Sequence, residues 1–309
     1  MVSVVIVTHN NAAMLKSCIE SLQKQKFTDI EVTVVFNASL MSTIRETKCG
    51  FPWVNSLINE ENLLFSKAYN QGILVSRGEF IFCLNDDVIL EPNSIKELVK
   101  IMSQEERIGM ISGKILRMDK VTVDSTGLSL SFWRTAIERG YGQKDVGQFE
   151  DPDLIFGVNG AAAFYRRKML DEIKQGQDYF DTDFGFFYED LDMAWRAQKK
   201  GWKAYYVPTA IAYHARGGTA RKKEGVGRSF ARFYISNDLQ FELIKNRYLT
   251  IIKSDTVLGL LLHLPFIFIY GLAELGFLLL FRPKVIPMLL YLPRFIKLAF
   301  RKRFAAKRV

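Results

Sequence analysis

Residues 2–10 read VSVVIVTHN, a near-continuous run of β-branched side chains that ends in three polar residues. A run of this length and composition is expected to form a strand. The same unit returns as EVTVVFN (31–37), VNSLIN (54–59) and EFIFCLNDD (79–87). Polar, helix-compatible stretches beginning near Asn11, Met41 and Ser66 and after Pro92 separate the four. Strands alternating with helices predict an α/β fold with a mainly parallel sheet and helices on both of its faces. Ligands of such sheets sit beyond the carboxyl ends of the strands. Those ends here are Thr8-His9-Asn10, Asn37-Ala38-Ser39 and Asn85-Asp86-Asp87.

Beyond this first half, residues 108–218 are less regular and rich in glycine, aromatic residues and acids. One helix is expected there, over about 191–200, introduced by Glu189-Asp190 and ended by Gly201. The expected organisation is a catalytic region over 1–250, divided into halves at 107/108, and a C-terminal region over 251–309. Residues 256–281 are almost wholly apolar, broken only by His263, Pro265 and Glu274, and approach the ~20 residues that span a bilayer. From Arg282 onward the chain has nine Lys/Arg and no Asp/Glu, so this tail holds all of the net charge of +9. A basic tail beside an apolar stretch points to anionic lipid and away from nucleic acid. Cations on one flank and a cytoplasmic domain on the other disfavour a single crossing. The expected form is a re-entrant or surface-lying helix pair broken near Pro265, then a basic amphipathic helix over about 286–300. Met1 runs straight into the first strand with no basic, apolar leader, so a cleaved signal peptide is not expected and the region over 1–250 is expected to stay in the cytoplasm. Cys18, Cys49 and Cys83 lack paired spacing and are expected to be reduced and packed in the core.

Three segments carry chemistry. FIFCLNDDV (80–88) delivers carboxylates to a strand end, where they either hold Mg²⁺ or Mn²⁺ against a diphosphate or form a solvated turn. GFFYEDLDMAWR (185–196) gathers Glu189, Asp190 and Asp192 at a helix start. Asp192 with Arg196 is an i,i+4 pair that serves the helix, whereas Asp190 can accept the proton of an attacking hydroxyl. Glu189 is either a second substrate contact or a cap. AIAYHARGGT (210–219) offers His214 as a metal ligand or a structural histidine, and the amides of 217–219 as a phosphate contact.

In order and spacing, VSVVIVTHN, VVFNAS, ENLLFSKAYNQGI, RGEFIFCLNDDVIL, VNGAAAFYRRKML, FGFFYEDLDMAWRAQKKGW and AYYVPTAIAYHARGGT resemble the family-2 glycosyltransferases of GT-A fold. The nearest subgroup is the one that contains rhamnosyltransferases of cell-surface polysaccharide assembly. The resemblance covers about residues 2–250. It implies Asp190 as catalytic base with Glu189 beside it, and Asp87 and His214 as ligands of a divalent metal. It implies Thr8, Asn10, Asn37, Asn62, Asn70, Asn85, Asp86 and Thr219 as donor contacts. The loop over 160–166, with Gly160 and Arg166, and Trp195 would meet the acceptor. One departure stands out: where the family's second strand usually carries an aspartate near the nucleotide base, this chain has Phe36, whose ring can stack on a base instead.

The expected activity is inverting transfer of a sugar, first of all rhamnose from dTDP-rhamnose, to a polyprenyl-diphosphate-linked saccharide at the cytoplasmic face of the inner membrane. A UDP-hexose donor, or a nucleotide-sugar-binding protein with impaired catalysis, is the alternative. A processive synthase with its own pore would need more apolar segments than this chain carries.

Overall fold

The computed structural model describes residues 1–216, 231–233 and 235–305. Its strands are β1 (Val2–Thr8), β2 (Ile30–Asn37), β3 (Asn55–Asn59), β4 (Phe80–Asn85), β5 (Val88–Leu90), β6 (Ile108–Arg117), β7 (Val123–Ser125), β8 (Leu128–Leu130), β9 (Ala136–Glu138), β10 (Asp153–Ile155), β11 (Ala162–Arg166) and β12 (Lys203–His214). Its α-helices are α1 (Ala12–Gln23), α2 (Met41–Gly50), α3 (Leu64–Val75), α4 (Ser94–Gln104), α5 (Arg167–Ile173), α6 (Glu189–Lys199), α7 (Asn237–Ser254), α8 (Val257–Phe281) and α9 (Leu292–Ala305).

One sheet runs β10-β12-β6-β11-β4-β1-β2-β3, with β5 joined to β12 and β7 to β6. Strands β4, β1, β2 and β3 are mutually parallel, as the repeating sequence unit predicts. Strand β11 runs against both β4 and β6, while β12 is parallel to β6. The halves expected on either side of 107/108 therefore share a single sheet.

Alternate residues of β1 feed opposite cores, because side chains of a strand alternate between faces. Val2, Val4 and Ile6 pack with α1, α2 and α4, and Val5 packs with α3, α5 and α6. Phe36 is wholly buried in the first of these cores, so the expected stacking of its ring on a base is corrected. Cys18 and Cys83 are buried as expected, but Cys49 is exposed near the end of α2.

Helix α6 ends where the sequence places the stop: Gly201 adopts φ +80°, and its amide and that of Trp202 close onto the carbonyls of Gln198 and Ala197. The i,i+4 pair is formed, with Arg196 Nε 2.9 Å from Asp192. Asp192 is also the start of a buried ionic network. Lys253 of α7 reaches Asp192 (2.8 Å) and Asp181, and Lys302 of α9 reaches Asp181 and Asp183 at 2.5 Å each. Burial alone would raise the Asp181 carboxyl, but the charges of Lys253 and Lys302 prevail and hold it well below the usual range. The stability from Asp181 is thus complete above about pH 4, its unfolded value, and is lost as pH falls toward the depressed folded value.

Removing one partner of such a network strands buried charges. Lys253→Met should cost about 3–5 kcal/mol in chemical denaturation, and a loss below about 1 kcal/mol would mean that the network is solvated in solution.

The C-terminal region departs from expectation in two ways. Residues 257–281 form one continuous helix that runs through Pro265, where a break between two helices was expected. Proline in a helix interior costs about 3 kcal/mol, and the uninterrupted leucine- and phenylalanine-rich turns on both sides outweigh it. By length and composition α8 is able to cross a membrane, and only 17% of its most apolar window is buried. A 3₁₀ stretch over Pro283–Tyr291 precedes α9, so the last helix begins later than 286. Three of the nine tail cations, Arg282, Lys302 and Arg303, turn inward onto carbonyls or the ionic network.

Candidate active site

The parallel strands deliver Thr8, Asn37 and Asn85 to one edge of the sheet. There Thr8 Oγ1 donates to Asp86 (2.6 Å) and Asn11 Nδ2 to its other oxygen (3.2 Å). Burial pushes the Asp86 carboxyl up to about 6 against these two hydrogen bonds. Asn10, in the left-handed region at φ 59°, accepts from the Leu40 amide (2.6 Å), and Asn85 Oδ1 accepts from the Tyr69 hydroxyl. Asn37 and Asn62 bond each other (2.8 Å) and the amides of Leu63 and Leu64, which fixes the start of α3.

Asp87 and His214 meet although 127 positions separate them, because β12 pairs with β5 at His214 and Val88. His214 Nε2 lies 3.2 Å from Asp87 Oδ1, and Nδ1 lies 2.8 Å from Asp124. Burial disfavours the imidazolium, yet the hydrogen bonds and charges of Asp124 and Asp87 outweigh it and raise the histidine to about 9. The 3.2 Å contact is a hydrogen bond; were the imidazole to release that proton, Nε2 and Oδ1 would stand about as far apart as two cis ligands of an octahedral ion, about 3 Å. Asp124 then holds the imidazole from behind, as carboxylates do at metal-bound histidines. Among the described residues no group of three or more His, Cys, Asp or Glu side chains could hold a metal by itself. Further ligands would come from diphosphate oxygens and water, the usual pattern for Mg²⁺.

Glu189 and Asp190 open α6, preceded by two aromatic residues in left-handed conformation, Phe187 (φ 67°) and Tyr188 (φ 69°). Such conformations cost about 1–3 kcal/mol each and persist where surrounding contacts impose them. Asn246 of α7 imposes this one, donating from Nδ2 to the carbonyls of Phe186 (2.7 Å) and Phe187 (2.9 Å). The two acids differ in state. Asp190 is half-buried and accepts from the amides of Gly160 (3.1 Å) and Leu191 (2.7 Å), which oppose the rise that burial causes. Glu189 is buried, Oε2 has no hydrogen-bond partner among the described residues, and burial together with the Asp190 charge pushes it well above the carboxylate range. Of the two, Glu189 is pushed up further, and Asp190 is the one whose charge the two amides stabilise. Gly160 packs close to the acid pair: a Cβ there would meet both carboxylates and the Phe65 ring at 3.5–3.6 Å, ordinary van der Waals contact.

A polar chain links Asp190 with the Asp87–His214 pair: Asp190 to Gly160, then Asn159 to Glu138 (2.5 Å), Glu138 to Ser125, and Asp124 to His214. Loss of solvation, opposed by the Ser125 hydrogen bond and reinforced by the Asp190 charge, pushes Glu138 up to about 7. Glu138, Asn159 and Asp124 escape sequence reasoning. Their only signal is an isolated acid or amide beside a short apolar run, as in VTVDSTG (121–127).

Two expected contacts are not brought to the site. Arg166 lies at the opposite end of β11, paired with Phe80, and its guanidinium bonds the carbonyls of Met102, Glu105 and Ile108. Asn70 is spent on the 178–180 turn, bonding Asp178, Tyr179 and Phe180. Trp195 is buried on α6, edge-on to Phe156 and beneath Arg134. Thr219, with the glycine pair before it, lies outside the described residues.

Comparison with known proteins adds a family. The model described as glycosyl transferase family 2 matches residues 3–174. The chain is 26% identical over 294 residues to an N-acetylglucosaminyltransferase of Mesorhizobium japonicum, covering 88% of this chain and 65% of that one. It is 25% identical over 235 residues to an N-acetylglucosaminyl-diphospho-decaprenol L-rhamnosyltransferase of Mycobacterium tuberculosis, covering 68% and 75%. Among solved structures, GalNAc-T7 with UDP, GalNAc and Mn²⁺ superposes with TM-score 0.62 at 15% identity, over 82% of this chain and 48% of that one, a likeness of fold. The chain spans from about a third to about two thirds of the length of several curated relatives that it matches.

Proposed function

The chain belongs to glycosyl transferase family 2, and from that premise we propose that it is a metal-dependent, inverting glycosyltransferase acting on a lipid-linked acceptor. The observation that carries the reading is the division of labour between Glu189 and Asp190. One acid is buried, pushed well above the carboxylate range and has an oxygen with no hydrogen-bond partner among the described residues, while its half-exposed neighbour is held by the amides of Gly160 and Leu191.

Asp190 takes the proton from an acceptor hydroxyl, which attacks the anomeric carbon from the face opposite the leaving diphosphate. One displacement inverts that carbon. Gly160 and Leu191 fix the carboxylate, so little reorientation is needed when the proton moves. A divalent ion held by Asp87 and His214 would supply electrostatic stabilisation of the leaving diphosphate. Thr8 and Asn11 hold Asp86 alongside, on the donor side.

The M. tuberculosis relative's printed activity supports rhamnose as first donor sugar and a prenyl-diphosphate saccharide as acceptor; the carrier we propose for that sugar is dTDP. The exposed apolar α8 and the basic tail support a site of action at the cytoplasmic face of the inner membrane, on anionic lipid. The testing experiment is release of nucleoside diphosphate from a panel of nucleotide sugars with Mg²⁺, Mn²⁺ or EDTA, with and without prenyl-linked acceptors. Metal-dependent release from one donor supports the reading. Neither release nor binding of any donor would overturn it.

The acid limb of the rate profile is a second check. Asp190 works only when ionised, and burial raises it, so kcat/KM should fall with decreasing pH along a limb above the ordinary aspartate value of about 4. A rate undiminished down to that value would contradict a buried base.

A further inference from the structure

The two-stranded ribbon β8–β9 has one end in the active site and the other against α8. Leu128 pairs with Glu138 at the inner end, and the outer end is a turn in which Arg134 donates to Ser131 and Ser131 to Thr135. Between the outer end and α8 lies an open, mainly apolar groove of about 450 Å³, lined by Leu130, Phe132, Trp133, Ile137 and His263 together with the polar Ser131 and Arg134. Phe132 stacks on His263 at 6.0 Å, and Trp133 meets Phe266 edge-on at 5.7 Å. Phe132 is nevertheless 71% exposed. The adjoining face of α8, with Leu261 and Leu262, is exposed as well.

A second observation lies behind the same wall. Arg247 of α7 is fully buried; Nη2 donates to the Trp133 carbonyl (2.5 Å), while Nε and Nη1 have no acceptor among the described residues. Its guanidinium lies over the Tyr270 ring at 4.3 Å. A buried cation with unmatched donors favours an anion close by. An apolar groove, a cation behind it and a ribbon leading to the base together describe an amphiphile: an apolar chain, an anionic linker and a sugar end.

We propose that the groove between the β8–β9 turn and α8 binds the isoprenoid segment nearest the diphosphate of a prenyl-diphosphate-linked acceptor, with Arg247 drawing the diphosphate to the ribbon. The proposal rests on the lipid-linked acceptor read above and assigns its place. The five residue steps from Trp133 to Glu138 cover at most about 18 Å, a span that a diphosphate and one or two sugar rings bridge. The saccharide then ends beside Glu138 and Asp190. Arg134, held by Asp255 and lying over Trp195, keeps the turn in register with α6.

The test uses the full chain in detergent and a diazirine-bearing farnesyl diphosphate as photoprobe. Labelling should map to 130–137 and to the first half of α8, and unlabelled farnesyl diphosphate should suppress it. Phe132→Ser with Trp133→Ser, at the ribbon's outer end, should cut labelling about 10-fold and raise KM for a long-chain prenyl-linked saccharide by as much, with kcat on a short-tailed soluble acceptor unchanged. Arg247→Lys should retain labelling that Arg247→Met loses. Two results would overturn the groove: transfer to prenyl-linked acceptors with no labelling of the ribbon, or labelling by a photoactivatable phosphatidylcholine that farnesyl diphosphate does not displace. Competed labelling without transfer to any prenyl-linked acceptor would support the groove and count against the acceptor class itself.

Discussion

Asp190→Asn should abolish sugar transfer, lowering kcat by about 10²–10⁴, the usual worth of a positioned general base, while nucleotide-sugar binding persists. The argument rests on what changes and what stays. Asparagine keeps the shape and one acceptor oxygen, but its amide nitrogen faces either the Gly160 or the Leu191 N–H, so one of those two hydrogen bonds is lost. Thermal denaturation therefore accompanies the kinetics, and Asp190→Glu, which keeps the charge, serves as a second variant expected to recover part of the rate. Glu189→Gln is the sharper comparison. A protonated Glu189 and a glutamine have the same shape and nearly the same hydrogen-bonding capacity, so this variant should lose far less activity than Asp190→Asn. The reverse order would exchange the two roles.

Asp87→Ala should weaken Mn²⁺ binding and depress transfer together, by several kcal/mol or about 10²–10³ in rate. Asp87 and His214 are the pair proposed to hold the cation, and alanine leaves the imidazole with Asp124 alone. Paramagnetic resonance of Mn²⁺ titrated into protein with nucleoside diphosphate reads the metal directly, independent of turnover. If Asp87→Ala bound Mn²⁺ like the parent and responded to it equally in transfer, the metal would have to be sought elsewhere.

The four parallel strands and their polar ends are legible in the sequence because β-branched runs bounded by polar residues report a local property. The start of α6 is legible for the same reason: three acids precede an amphipathic turn and a glycine closes it. Asp124, Glu138 and Asn159 are not legible, since each matters only through a partner far along the chain, and a lone acid carries no mark of what it will face. Arg166 and Asn70 show the opposite error. Both lie in segments that resemble the family, but the structure uses them to satisfy carbonyls and amides of turns, away from the strand ends. Phe36 falls between these cases: the departure from the family is plain in sequence, whereas its consequence required knowing which face of β2 it occupies. Pro265 misled because proline's local cost is fixed while the cooperative gain of a long apolar helix is not.

The left-handed pair Phe187–Tyr188 has an implication for how this protein can be divided. The turn that aims Asp190 is held from α7 by Asn246, and α7 itself runs to Ser254, across the boundary expected at 250/251. The acid-bearing turn and the C-terminal helices are thus not separable modules joined by a tether. A chain shortened to its first 236 residues would retain every acid of the candidate site and lose the clamp on the turn that presents Glu189 and Asp190, so site and clamp are inherited, or lost, as one unit.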